Sequence, residues 1–199
     1  MFWDKISPLY DLFENIYNHK VYADTGKRVA DFIESTDEVL ECACGTGAIS
    51  FYIAKNCKTL IATDFSSGML KQASRKCSTY NNVYFKKADI TNIKCRDSWF
   101  DKVVAGNVIH LLPDPGKAFA ELWRVVKPGG KIIIPTYINK SKQSAGLAVK
   151  FVTLLGADFK QQFDLDSYKK FFENLGYQGV EYTVVDGRMP CAIAVITKV

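Results

Sequence analysis

A chain of 199 residues, 48% hydrophobic and 24% charged, has the size and composition of one soluble globular domain. Its formal charge of +5 is spread over single and paired lysines, which argues against nucleic acid as a partner. Because no apolar run approaches the roughly 20 residues that cross a bilayer, and the start MFWDKISPLY lacks a signal-peptide pattern, we expect a cytoplasmic protein without integral membrane segments.

The six cysteines do not form a metal-binding pattern. They are Cys42, Cys44, Cys57, Cys77, Cys95 and Cys191, and they lie mostly in apolar segments without metal-type spacing. With only two histidines in the chain, we expect small buried thiols and no metal site.

The amino-terminal residues have a helical pattern. Apolar residues recur at spacings near three and four from Phe2 to Tyr17, which predicts a helix with a break at Pro8. A second helix is predicted over 25–32. Residues 1–34 are therefore expected to form a helical cap before the first strand.

From Glu38 the pattern alternates between strands and helices. The predicted strands are EVLECAC, TLIATD, NVYFKKAD, FDKVVAGNVIHL and KIIIPTY, and helices are predicted over 48–55, 68–77 and 117–126. Lys127-Pro128-Gly129-Gly130 is expected to stop the last of these helices. Alternation at this spacing requires right-handed crossovers, so it predicts a mostly parallel sheet with helices on both faces.

The last third of the chain has a different pattern. Helices are predicted over 142–155 and 167–175, with residues 141–165 as a candidate lid insertion. VEYTVVDG and MPCAIAVITK flank a short turn, which predicts a carboxyl-terminal antiparallel hairpin. The whole chain, residues 1–199, is expected to form a single α/β domain.

Three acidic residues stand at the carboxyl ends of the first three predicted strands. They are Glu41, Asp64 and Asp89, and Gly45-Thr46-Gly47 follows the first of them. Ligands of open parallel sheets bind beyond these ends. Any one acid could simply cap the following helix, but three beside a glycine loop indicate a ligand rich in donors or positive charge.

The charges distinguish between candidate ligands. A dinucleotide pyrophosphate would be repelled by Glu41, at about 4 kcal/mol for charges ~4 Å apart at an effective dielectric near 20. The dinucleotide fingerprint needs a third glycine where Ser50 stands, and the loop lacks the lysine of a P-loop. S-adenosylmethionine (SAM) presents a sulfonium, an ammonium, a ribose diol and an adenine amine, and backbone amides of the loop suit its carboxylate. SAM is therefore the predicted cofactor.

Five segments in order resemble the motifs of class I SAM-dependent methyltransferases, similar to the small-molecule group that includes the ubiquinone and menaquinone C-methyltransferases. The segments are VLECACGTG, TDFSSGML, KKADI, FDKVVAGNVIHLLPDP and RVVKPGGKIIIPTY. The resemblance runs from about residue 8 to the carboxyl terminus. It implies a Rossmann-like, seven-stranded sheet whose last strand is antiparallel.

The resemblance also implies which residues bind the cofactor. Asp64 is expected at the ribose hydroxyls and Asp89 at the adenine amine. The other expected cofactor-binding residues are Glu41, Ala43, Gly45, Gly47, Phe65, Met69, Ile90 and Asn107. The sequence departs from many relatives at His110-Leu111, where they carry two successive histidines.

Methyl transfer from a sulfonium depends mainly on alignment and exclusion of water. His110 is the first candidate to contact the acceptor as a base, or else it orders the loop before Pro113, and Tyr10 is the second candidate. The fourth-strand segment lacks the Asn/Asp-Pro-Pro-aromatic run of enzymes that methylate nucleic-acid amines. We predict a methyltransferase for a small, partly hydrophobic acceptor; the alternative is a non-catalytic SAM-binding subunit, and the acceptor atom and oligomeric state stay open.

Overall fold

A computed structural model describes residues 2–139 and 161–199, and the side chains of residues 2, 5 and 8–17 fall outside its described part. The elements are α1 (Phe2–Ala30), β1 (Glu38–Cys42), α2 (Ser50–Ile53), β2 (Thr59–Asp64), α3 (Ser67–Lys76), β3 (Val83–Lys87), β4 (Phe100–Ala105), a 3-10 turn (Ile109–Leu111), α4 (Pro115–Val125), β5 (Val126–Tyr137), α5 (Leu165–Asn174), β6 (Glu181–Val185) and β7 (Cys191–Thr197). The predicted lid and the helix over 142–155 lie largely or wholly outside these ranges. Within them, no helix is both long and apolar enough to cross a membrane.

The seven strands form one sheet in the order β3-β2-β1-β4-β5-β7-β6. The first five strands of the chain pair in parallel, and β7 runs antiparallel between β5 and β6. This confirms the predicted Rossmann-like sheet and its carboxyl-terminal hairpin. The chain order reverses between β1 and β4, so a crevice is expected beyond the carboxyl ends of these two strands.

The sheet is covered on both faces because its central strands alternate their side chains between two cores. Ile132 and Ile134 of β5 belong to a core with Phe119 of α4 and Phe172 of α5. Ile133, between them, belongs to the opposite core, which is built from α1, α2 and α3. The cores fix the strand register and hence the position of each strand end.

The amino-terminal helix differs from the prediction. It continues through Pro8, and its break is at Asn18, whose φ of −141° and ψ of 30° are non-helical. Pro8 has no amide for the Asp4 carbonyl, and the Ser7 hydroxyl donates to that carbonyl instead, at 3.1 Å. Asn18 donates to the Met189 carbonyl at 2.9 Å, a contact 171 residues away in the chain.

The fifth strand also differs. α4 ends at Val125, close to the predicted stop, but Lys127-Pro128-Gly129-Gly130 lies within β5. The pairing with β4 shifts from Phe100 opposite Val126 to Lys102 opposite Lys131, so the extra residues form an irregularity in the strand. Gly129 has a φ of +76°, which suits glycine at this point.

Candidate functional site

A cavity of about 790 Å³ lies at the carboxyl ends of the parallel strands, within the range typical of small-molecule sites. Nine of the ten residues expected to bind the cofactor line it: Glu41, Ala43, Gly45, Asp64, Phe65, Met69, Asp89, Ile90 and Asn107. The three acidic residues from separate strand ends therefore share one cavity beside the glycine loop, as the sequence predicted.

Asp64 is held in place by backbone amides. Its Oδ2 accepts from the Gly45 amide at 2.8 Å, and its Oδ1 accepts from the Ser66 amide at 2.8 Å. Burial raises the pKa of Asp64, while these amide contacts with Ser66 and Gly45 act to lower it. Positive φ at Ala43 (54°) and Gly45 (55°) turns the loop after β1 back toward this carboxylate.

The amides of the glycine loop are largely engaged within the protein. The Cys44 amide donates to the Thr63 carbonyl at 2.9 Å, and the Gly47 amide to the Cys44 carbonyl at 2.9 Å. Gly45 donates to Asp64, as described above. The Gly45 and Gly47 amides thus have acceptors within the protein, and the expectation that the loop and the following helix start supply amides to a ligand carboxylate stays a prediction for the other amides.

Glu41 is the buried acid of the cavity, with a relative exposure of 1%. The Ser50 hydroxyl donates to its Oε2 at 2.5 Å. Burial raises the pKa of Glu41 to about 8; the Ser50 contact acts against this rise and the charge of Asp64 adds to it. Ser50, which occupies the position of the missing third glycine, thus has a direct structural role at Glu41.

Asp89 and Asn107 are ordered by local contacts. Asp89 Oδ1 accepts from both the amide and the hydroxyl of Thr91, each at 2.8 Å, and these contacts lower the pKa of Asp89. Asn107 has a φ of 51° and accepts from the Tyr137 amide at 3.0 Å, which ties the end of β4 to the end of β5. An ionised Asp89 and a fixed Asn107 therefore stand at the cavity.

Three predicted residues have a different placement. Gly47 is not among the described residues that line the cavity; a Cβ there would lie 3.0 Å from Ala73 Cα, so glycine allows α3 to approach the loop. His110 is buried, with a pKa lowered by burial to about 4, and is likewise not among these lining residues, although Leu111 is. The Tyr10 side chain lies outside the described residues. Functional roles for all three stay predictions.

Part of the cavity wall consists of residues that were not predicted from the sequence. Trp3, Tyr22, Thr25, Thr46 and Lys117 also line the cavity. Tyr22 and Thr25 lie one turn apart on α1, a spacing that would have placed them on one face had the helix been extended to Tyr22. The Thr25 hydroxyl is buried and has no hydrogen-bond partner among the described residues.

The chain matches known proteins over this same region. A family model described as a methyltransferase domain matches residues 40–134, a range that includes the glycine loop and all three acids. Over 90% of this chain and 87% of the relative, the sequence is 27% identical to the demethylmenaquinone methyltransferase of Lactiplantibacillus plantarum. Residues 40–134 thus match a methyltransferase domain, and the named relatives support SAM-dependent methyltransferase activity. The class predicted from the sequence is thereby confirmed.

Further relatives of this methyltransferase agree with the assignment. The ubiquinone/menaquinone biosynthesis C-methyltransferase UbiE of Bdellovibrio bacteriovorus is 30% identical over 66% of this chain and 58% of its own length. A SAM-dependent methyltransferase structure from Thermotoga maritima covers 100% of this chain and 99% of its own, with a TM-score of 0.76 and 15% identity. At that identity the structural likeness concerns the fold alone.

Proposed function

We propose that this methyltransferase binds SAM in the cavity at the strand ends and methylates a ring carbon of a small, partly apolar acceptor of the hydroquinone type. The observation that carries the proposal is the mixed lining: the three strand-end acids and Asp114 share the cavity with a group of largely apolar residues. These residues are Val108, Leu111, Leu112, Pro113 and Tyr137. The names of the relatives, demethylmenaquinone methyltransferase and C-methyltransferase, support the acceptor class.

Glu41 fits the cationic part of SAM. A carboxyl group with its pKa raised to about 8 by burial is mostly protonated in the empty protein at neutral pH. A positive charge nearby favours the ionised form of a carboxyl group. Binding of a cationic ligand would therefore restore the negative charge on Glu41 that burial suppresses. We assign Glu41 to the amino-acid end of SAM, beside the glycine loop.

Asp64 and Asp89 fit the nucleoside part. Two amides fix the Asp64 carboxylate, and an oxygen can accept a second hydrogen bond from a ribose hydroxyl. The ionised Asp89 can accept from the adenine amine. Phe65 is 54% exposed and lines the same cavity, which suits a flat contact with the adenine ring.

In our proposal, side-chain hydroxyl groups donate hydrogen bonds to the carboxylate of SAM, in place of the amides of the glycine loop. Tyr22, Thr25 and Thr46 line the cavity, and the Tyr22 and Thr46 oxygens lie 3.4 Å apart. Lys76 donates to the Tyr22 oxygen at 3.2 Å, so it brings a positive charge toward this group. The buried Thr25 hydroxyl adds a donor in need of an acceptor. Together they form a candidate carboxylate subsite.

Methylation of a ring carbon would form a C–C bond, break the S–CH3 bond of SAM and release the ring hydrogen as a proton, which a base or solvent must accept. When bound, SAM supplies a methyl group on a sulfonium, which is already activated as a leaving group. The protein contributes alignment, for which about 7–11 kcal/mol is available from positioning, and an apolar wall that excludes water. His110 stays the candidate base; its lowered pKa keeps the imidazole neutral at physiological pH, but it is not among the described residues that line the cavity.

A transfer assay tests the proposal. The protein is incubated with SAM carrying a labelled methyl group and, separately, a short-chain prenylated naphthohydroquinone, a catechol and an adenine-containing oligonucleotide. We expect a ring-methylated product from the hydroquinone, identified by mass spectrometry, and none from the oligonucleotide. Cofactor binding without transfer to any hydroquinone would contradict the acceptor proposed.

A further inference from the structure

A single carboxylate joins the first turn of α1 to the amino end of α3. Asp4 Oδ1 accepts from the Ser66 hydroxyl at 2.6 Å and from the Gly68 amide at 2.9 Å. Ser66 is itself the N-cap of α3 and accepts from the Met69 amide at 3.1 Å. The first amides of a helix lack partners within it, so a carboxylate is favoured there. The contacts with Ser66 and Gly68 lower the pKa of Asp4, which keeps it charged at neutral pH.

The backbones of the two helices meet closely at Gly68. A Cβ at this position would lie 2.9 Å from Ser7 Oγ, 3.0 Å from Asp4 Cα and 3.1 Å from the Asp4 carbonyl oxygen. Two of these three neighbours are backbone atoms of Asp4, so they can move only if the first turn of α1 moves with them. A glycine at Gly68 therefore allows the first turn of α1 to seat on α3.

This junction borders the cavity. Phe65 and Met69, on either side of the Ser66–Gly68 segment, both line the cavity, and so does Trp3, the neighbour of Asp4. The charge of Asp4 also reaches the site: burial raises the pKa of Asp64, and Asp4 raises it further. The contacts of Asp4 thus lie next to an indole that forms part of the wall beside the proposed nucleoside site.

We propose that Asp4 is a positioning residue, which holds the Trp3 indole against the bound cofactor by fastening the first turn of α1 to Ser66 and Gly68. The inference rests on the proposed cofactor site. Asp4 acts through Trp3 in this account, so the loss of either residue opens the same part of the wall. Cofactor affinity should therefore respond to the two residues as one unit.

Calorimetric titration with S-adenosylhomocysteine (SAH), the demethylated cofactor, tests this coupling, because SAH lacks the sulfonium charge. We expect Asp4→Ala and Trp3→Ala each to weaken SAH binding about tenfold, and the double variant to be no more than about tenfold weaker than the wild type. Asp4→Asn keeps an acceptor for the Gly68 amide and should stay within about threefold. Gly68→Ala changes no charge and should weaken binding about as much as Asp4→Ala.

Asp24→Ala is the matched control, since Asp24 lies on the same helix and pairs with Lys27 at 3.0 Å. It should leave SAH affinity unchanged, and thermal unfolding checks that each variant is folded. Unchanged affinity in folded Asp4→Ala, or losses that multiply to about a hundredfold in the double variant, would overturn the inference. If Asp4→Ala does not fold, Gly68→Ala, compared with and without Trp3→Ala, gives the same decision. Absence of SAH binding in the wild type would instead reject the cofactor site itself.

Discussion

The Gly45 amide donates to Oδ2 of Asp64 at 2.8 Å, so the loop after β1 is fastened to the end of β2. The Ser66 amide holds the other oxygen of the same carboxylate at 2.8 Å. Asp64 is therefore fixed before any ligand arrives, and the turn of the glycine loop depends on it. A ligand that uses Asp64 meets a carboxylate that needs no further ordering.

The first prediction concerns Asp64 itself. Asp64→Ala removes an acceptor proposed for the ribose and also releases the Gly45 amide, so SAH affinity should fall about 10- to 150-fold by calorimetry. Asp31→Ala is the control, because Asp31 pairs with Arg28 on an exposed part of the chain, with side-chain exposures of 61% and 60%. Equal affinity in folded Asp64→Ala and in the wild type would remove Asp64 from the ribose site.

The second prediction concerns proton release on binding. Burial raises the pKa of Glu41 to about 8 in the empty protein, and a bound cation favours the ionised carboxylate. Between about pH 6.5 and pH 8, SAM binding should therefore release up to one proton and tighten as the pH rises. Calorimetry in buffers of different ionisation enthalpy measures the release. Glu41→Gln is the control, because the ammonium of SAM titrates in both proteins while the carboxyl group titrates only in the wild type.

Glu41 also makes a prediction for stability. Its folded pKa, about 8, lies above the unfolded value near 4.5, so the folded state holds a proton that the unfolded state loses. The stabilising contribution of the protonated Glu41 to the free energy of unfolding is fully present below about pH 4.5, and it is lost as the pH rises through about 8. At about pH 8, Glu41→Gln should raise the melting temperature of the ligand-free protein by at least about 2 °C, with a smaller gain at about pH 5. A gain that does not grow with pH would contradict the assigned pKa.

The fourth prediction separates packing from conformation in the glycine loop. Gly47→Ala meets both a φ of +82° and a Cβ 3.0 Å from Ala73 Cα, whereas Gly45→Ala meets only a φ of +55° with open space around it. A left-handed alanine costs about 1–2 kcal/mol. Gly47→Ala should therefore lower the free energy of unfolding, measured by chemical denaturation, by at least about 1 kcal/mol more than Gly45→Ala does. Equal losses would show that α3 yields at Ala73.

The fifth prediction distinguishes the two roles considered for His110. A removed general base costs about 10²–10⁴-fold in rate. Because His110 is buried and not among the described residues that line the cavity, His110→Gln should lower kcat by less than about tenfold while lowering thermal stability. A loss of a hundredfold or more in a stably folded variant would instead establish the imidazole as the base.

The sequence predicted the parts of the site that depend on strand ends. Glu41, Asp64 and Asp89 could be placed together because parallel strands bring their carboxyl ends to one edge. The kink at Asn18 could not be predicted, because Asn18 contacts Met189, which lies 171 residues later in the sequence. Motif positions alone thus identified the cavity but not everything that encloses it.

Hydrogen-bond partners within the site were the least predictable feature. The motif suggested that loop amides face a ligand, but Gly45 donates to Asp64 and Gly47 donates to Cys44. Which acceptor an amide uses depends on loop dihedrals of a few residues, and spacing carries no such information. Trp3 was missed for a related reason, since the Asp4 contacts with Ser66 and Gly68 that seat the first turn of α1 beside the cavity leave no trace in the motif spacing.

A crystal structure with SAH bound tests the central claim most directly. We predict that the ribose hydroxyls lie at Asp64, the adenine amine at Asp89 and the amino-acid end between Glu41 and the hydroxyls of Tyr22 and Thr25. SAH bound elsewhere, or bound in this cavity with its ribose and adenine away from both aspartates, would contradict it.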